Sequence, residues 1–176
     1  MKIPASHLAL FLTLLAALVG PSATASATDA QRQADIASRS PAVMPFDLAA
    51  TTHIFTKMPD GGRQRVVTKR VADTRQVERV RGHLRDIKRE FLAGDFSGPE
   101  HIHGAAMPGL AELKAANPGQ ISIGYKDVAG GAELSYRTSD AALVAALHRW
   151  FDAQLLDHGA DAMAGHPHPH EGLPKP

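Results

Sequence analysis

The stretch Thr52-His53-Ile54-Phe55-Thr56-Lys57-Met58-Pro59-Asp60-Gly61-Gly62-Arg63-Gln64-Arg65-Val66-Val67-Thr68 carries two β-prone runs around an Asp-Gly-Gly turn. Thr52 to Thr56 and Arg65 to Thr68 are rich in β-branched and aromatic residues, and Asp60-Gly61-Gly62 supplies the positive φ angles that a tight hairpin requires. The stretch predicts two antiparallel strands. Asp73 follows as a helix cap, with Gln76 three positions on completing a capping-box-like arrangement. Val77, Val80, Leu84, Ile87 and Phe91 then recur at alternating steps of three and four, forming one apolar stripe. Arg79, Arg81, Arg85, Lys88 and Arg89 occupy the remaining surface with Glu78, Asp86 and Glu90 interleaved, which reads as a solvated face. Gly94 is placed to end the helix.

The same pattern returns downstream. Ile121 to Tyr125 and Glu133 to Arg137 flank a Gly130-Gly131 turn, Asp140 is a second cap, and Val144, Leu147, Phe151 and Leu155 form a second stripe. The Gly-Gly turns lie 69 residues apart and the capping aspartates 67 apart, which suggests an internal repeat of two ββα halves. Two isolated hairpins cannot bury their apolar faces. The expected fold is therefore α+β: a four-stranded antiparallel sheet with both long helices on one face. Between the halves lies His101-Ile102-His103-Gly104-Ala105-Ala106-Met107-Pro108-Gly109-Leu110, read as a loop. A short helix from Leu110 to Ala116 follows, stopped by Asn117-Pro118-Gly119.

At the N-terminus, Lys2 and the apolar run Leu8 to Val19 precede Ala23-Thr24-Ala25 and Ala25-Ser26-Ala27, the pattern of a cleaved export signal. The run is short for a membrane span, so residues 1–27 are expected to leave the mature chain without an anchor, in the periplasm or secreted. Residues 28–45 lack hydrophobic periodicity and read as a flexible lead-in, 46–160 as the ββα-loop-ββα domain, and 161–176 as a disordered His/Pro tail. Of 176 residues none is cysteine, which removes disulfides, thiolate metal sites and covalent haem attachment. Lys plus Arg number 19 against 18 Asp plus Glu, so there is no basic footprint of the kind nucleic-acid binding requires. An aromatic fraction of 5% argues against a large stacking surface for bases or sugars.

Histidine is the compositional anomaly, with ten in the chain and nine beyond the leader. His53 lies in the first strand, His83 and His148 border the two helix stripes, and His158 ends the second helix. His148 has Asp152 one turn on as an orienting acceptor. His101 and His103 fall in the central loop, and His166, His168 and His170 in the tail, where alternating prolines leave imidazoles able to capture an ion without a fold. His103 and Met107 together offer a borderline nitrogen and a soft thioether, a pairing that suits copper in a cysteine-free chain. The candidate metal ligands are His103, Met107, His83, His148, His53 and His158. His148 and His158 stand ten positions apart, about 15 Å along a continuous helix, so both serve one ion only if the helix breaks between them. His53 joins only if its face of the strand, shared with Phe55, turns to the helices.

Thr52-His53-Ile54-Phe55, Ile102-His103-Gly104, Met107-Pro108-Gly109-Leu110, Leu147-His148-Arg149-Trp150-Phe151-Asp152-Ala153-Gln154 and Asp157-His158-Gly159 resemble a group of small exported bacterial proteins to which the name aspartate carbamoyltransferase is often attached. The likeness spans about residues 46 to 160. It implies an exported one-domain protein with histidines at 53, 83, 103, 148 and 158, and leaves His101 and the tail outside the pattern. The name itself conflicts with the residues. A carbamoyltransferase needs a Ser-Thr-Arg-Thr-type phosphate loop and two α/β domains, and this chain has neither that loop nor the length.

Other enzyme signatures are missing too: no Gly-x-Ser-x-Gly elbow, no phosphate loop and no His-Glu-x-x-His helix. The sequence therefore predicts a non-catalytic periplasmic metal-binding protein, copper first and zinc second, acting in sequestration or delivery, with another periplasmic protein as a possible partner. Two alternatives remain open at this point: a non-covalent haem protein using the same His and Met residues as axial ligands, and an interaction domain whose histidines are incidental.

Overall fold

His53 and Phe55 face Val66 and Gln64 across the antiparallel pair formed by β1 (Thr51–Met58) and β2 (Gly61–Thr68), so these four side chains share one face of the sheet. This is seen in a computed structural model that describes residues 22–167, with side chains from residue 28. β3 (Ser122–Val128) and β4 (Gly131–Arg137) form the second hairpin, and β4 pairs antiparallel with β2, placing Leu134 beside Gln64 and Ala132 beside Val66. The strand order is β3-β4-β2-β1-β5. β5 (Ala162–Ala164) departs from the expected architecture: it runs parallel to β1, making the sheet five-stranded and mixed rather than four-stranded and antiparallel. A 3-10 turn at Gly159–Asp161 brings the chain back alongside β1, where backbone pairing needs no hydrophobic alternation and so leaves little trace in the sequence.

The two long helices are α2 (Thr74–Leu92) and α5 (Ala141–His158), capped by the side chains of Asp73 and Asp140 as their sequences predict. They pack on the face that carries Phe55 and Tyr136. Phe151 of α5 lies 5.1 Å from Phe55, and Trp150 lies 6.1 Å from Tyr136 and 5.8 Å from Phe91 of α2. Trp150, Phe151, Leu84, Val80, Val66 and Leu134 are essentially sealed from solvent. Burial of each large apolar side chain supplies about 1.5–3 kcal/mol.

The expected flexible lead-in is instead helical and docked. α1 (Ser22–Arg39) buries Ile36 in the common core, and a 3-10 turn at Ser40–Ala42 leads to the buried Met44 and Phe46. Ile36 is the one large apolar side chain of α1, too few for a periodic signal. The central segment also differs from the loop expected. α3 (Ser97–His103) ends on His103, and α4 (Leu110–Lys114) starts where Gly109 passes α5 so closely that an added Cβ would meet the Ala146 carbonyl oxygen at 2.1 Å. Part of the expected tail is ordered as β5, while His168 and His170, like the leader up to residue 21, lie outside the described residues.

Candidate metal centre

Four of the six proposed ligands come together at one end of the helix-covered face. β1 contributes His53, α2 His83, the last residue of α3 His103 and the last residue of α5 His158. All four line one cavity of about 50 Å³, together with Gln64, Gln154 and Trp150. That volume accommodates an ion with one or two waters. The ring centroids of His53 and His158 are 4.6 Å apart, and those of His103 and His158 are 5.2 Å apart. Phe46 closes the group, 5.9 Å from His53 and 5.5 Å from His83.

Hydrogen bonds set which ring nitrogen is bare. His103 Nδ1 lies 2.8 Å from Asp157 Oδ2 and donates to the carboxylate, which leaves Nε2 as the ring nitrogen free for another partner. His158 Nε2 lies 3.1 Å from Gln154 Oε1 and donates to it, which leaves Nδ1 as the unprotonated nitrogen; that atom is buried and has no partner. His53 Nδ1 is likewise buried and unpartnered. Orphaned polar atoms in a core call for a reason. Asp157 is in turn gripped by Arg32 of α1, whose Nε and Nη2 lie 2.5 and 2.8 Å from its two oxygens.

Electrostatics keep most of the rings neutral. Burial pushes His83 and His158 down to about 4, and the neighbouring His103 adds to the shift at His158. His53 is held well below the usual imidazole range by burial and then by the positive charge that His158 and His83 would carry if protonated. For Asp157, burial alone would raise the carboxyl, but hydrogen bonds from His103 and Arg32 outweigh it and hold the group ionised below the usual carboxylate range.

The other two proposed ligands are elsewhere. α5 is continuous from Ala141 to His158, so the break that would let His148 join His158 does not exist. His148 Nε2 donates instead to the carbonyls of Met58 and Gly61, at 3.1 and 2.9 Å, tying α5 to the first hairpin. Asp152, expected to orient His148, pairs with Lys57 at 2.5 Å. Met107 is a core residue and lines a separate cleft with Arg32 and Asp157, so the expected His103 and Met107 pairing is not formed. His101 is exposed.

Sequence reading passed over Arg32, Gln154 and Asp157. Gln154 and Asp157 carried a usable signal, four and one positions before His158 on the same helix; Arg32 carried none, because its segment showed no periodicity. Among the described residues, no three His, Cys, Asp or Glu side chains stand ready to hold a metal ion. His53 and His158 stack nearly parallel, with 5° between their planes, an arrangement in which their in-plane lone pairs do not converge on one point. No known protein family, curated protein or solved structure matches the chain.

Proposed function

We propose that the chain binds a divalent transition-metal ion through His53, His103 and His158, with His83 as a fourth donor, for sequestration or delivery rather than catalysis. The observation that carries this reading is the pattern of bare nitrogens. His103 and His158 each have one ring nitrogen tied to an acceptor, His53 and His158 each keep a buried nitrogen without a partner, and all three rings border one cavity. Imidazoles whose second nitrogen is fixed by a carboxylate or amide are the usual form of histidine ligands. Two imidazoles bound to one tetrahedral ion have ring centroids ~5 Å apart, given zinc–nitrogen bonds of about 2.0–2.1 Å. The observed 4.6 and 5.2 Å match that spacing, so binding needs the rings to turn rather than the backbone to move.

With Met107 outside the cavity, the donor set is nitrogen, and the preference for copper that rested on the thioether weakens. Zinc(II) and copper(II) both suit imidazole. Neutral rings favour either ion, because ligands must be deprotonated to bind. A haem fits less well, because a cavity of about 50 Å³ has no room for the macrocycle. The export signal and periplasmic location belong to the same proposal, since a cysteine-free histidine site suits an oxidising compartment.

The test is metal analysis of untagged full-length protein in which His166, His168 and His170 are replaced by alanine. A single equivalent of zinc or copper should remain, and His158→Ala or His103→Ala should remove it. Loss of all binding on replacing the tail histidines alone would refute a folded site.

A further inference from the structure

A second cavity, of about 340 Å³, lies behind the histidine cluster and shares only Phe91 and Trp150 with it. Its deep wall is Phe91, Phe96, Leu113, Tyr136, Leu147 and Trp150, all buried. Its rim is formed by exposed residues at the end of α2 and after α4, among them Leu92, Gly94 and Pro118-Gly119. No charged side chain lines it. The Tyr136 hydroxyl is already committed, donating to Gln64 Oε1 at 2.8 Å.

Two facts point to an occupant. The cleft opens to solvent at its rim, yet its inner wall is made of buried apolar side chains, so apolar surface there stays wet unless a molecule covers it. The volume falls at the lower end of the roughly 300–1,000 Å³ typical of small-molecule sites, which combine apolar walls with a few placed polar groups. Trp150, which lines this cavity as well as the histidine one, is 1% exposed, and its indole Nε1 is buried without a hydrogen-bond partner. An indole nitrogen can only donate, so a partner must bring an acceptor.

We propose that this cavity binds a small uncharged apolar molecule bearing one hydrogen-bond acceptor, such as a ketone or ester carbonyl, which accepts from Trp150 Nε1. The site is independent of the metal reading and stands if that reading fails.

The chain has one tryptophan, so its indole N–H gives one resonance and reports on this wall alone. Full-length protein is titrated with 4-phenyl-2-butanone and, separately, with n-butylbenzene, which has the same apolar body without the carbonyl. The ketone should shift the indole N–H resonance saturably, and Trp150→Phe should weaken ketone binding roughly three- to tenfold more than it weakens hydrocarbon binding, the factor expected for one lost hydrogen bond. Ile123→Phe, which adds bulk to the cavity wall from β3, should keep the fold and melting temperature but weaken ketone binding at least tenfold. The Trp150→Phe affinities are read by calorimetry, since that variant has no indole. The proposal is overturned if neither probe gives a saturable response, or if folded Ile123→Phe binds the ketone unchanged. It is equally overturned if the indole resonance responds to zinc alone, which would place the donor on the histidine side.

Discussion

His103 Nδ1 and Asp157 Oδ2 lie 2.8 Å apart with side chains only 3% and 2% exposed, a buried imidazole–carboxylate pair joining the end of α3 to the end of α5. Arg32 completes it from α1, so three segments distant in sequence are held at one point. Asp157→Asn leaves an acceptor for His103 but presents an amide to Arg32 in place of a charge. The expected result is a 10- to 100-fold weaker affinity for zinc or copper, read by competition with a chromophoric chelator. Stability should fall by about 2–3 kcal/mol in urea denaturation, the cost of leaving buried hydrogen-bonding groups poorly paired.

The lowered histidines make folding sensitive to acid. His83 and His158 sit at about 4 in the folded chain, against about 6.5 when unfolded, and His53 is lowered as well. Between those two values the unfolded chain binds more protons than the folded one, so stability rises with pH there. The contribution is complete above about pH 6.5 and is lost as pH falls toward 4. Each histidine steepens the slope by at most about 1.4 kcal/mol per pH unit. Urea midpoints measured at intervals from pH 7.5 to 4.5 should drop accordingly, and His83→Phe should flatten part of the slope. A flat profile across that range would contradict buried neutral rings.

His148 and Met107 provide the control for the assignment of ligands. His148→Ala removes the bond that bridges the Met58 and Gly61 carbonyls and is expected to cost about 1–2 kcal/mol. Met107→Leu nearly conserves volume in the core and should cost under about 1.5 kcal/mol. Neither substitution should change the bound metal per chain, whereas His158→Ala should abolish it. Retained metal in His158→Ala with loss in Met107→Leu would restore the thioether as a ligand.

Gly109 has φ of +80° and no space for a Cβ, with the Ala146 carbonyl oxygen 2.1 Å from its ideal position. Gly109→Ala must therefore strain the backbone and push α4 from α5. A loss of at least about 2 kcal/mol is expected, read as a lower thermal midpoint.

The hairpins, both long helices and their caps were readable because each rests on a local rule. Asp60-Gly61-Gly62 turns, Asp73 and Asp140 cap, and Val77 to Phe91 repeat with the helical period. What escaped was held by a few contacts between segments distant in sequence. α1 docks through Ile36 and the Arg32–Asp157 pair, and β5 through three residues of backbone pairing, none of which leaves a periodic pattern. The histidine cluster was half readable. The side of β1 on which His53 sits followed from Phe55, which is indeed core, but the choice between His148 and His158 needed the end of α5, and Gly159 alone did not settle it.

The two margins of the sheet are unequal. On one side, three residues of β5 shield the middle of β1; on the other, all seven residues of β3 have no strand beyond them among the described residues, with Lys126 and Asp127 exposed along that strand. Charges on a bare margin discourage a foreign strand from zipping on. If two copies did join there, strand to strand about a two-fold axis, each would consume the other's long margin and leave only the short β5 outward. Assembly by this route would stop at a pair rather than grow into a fibre.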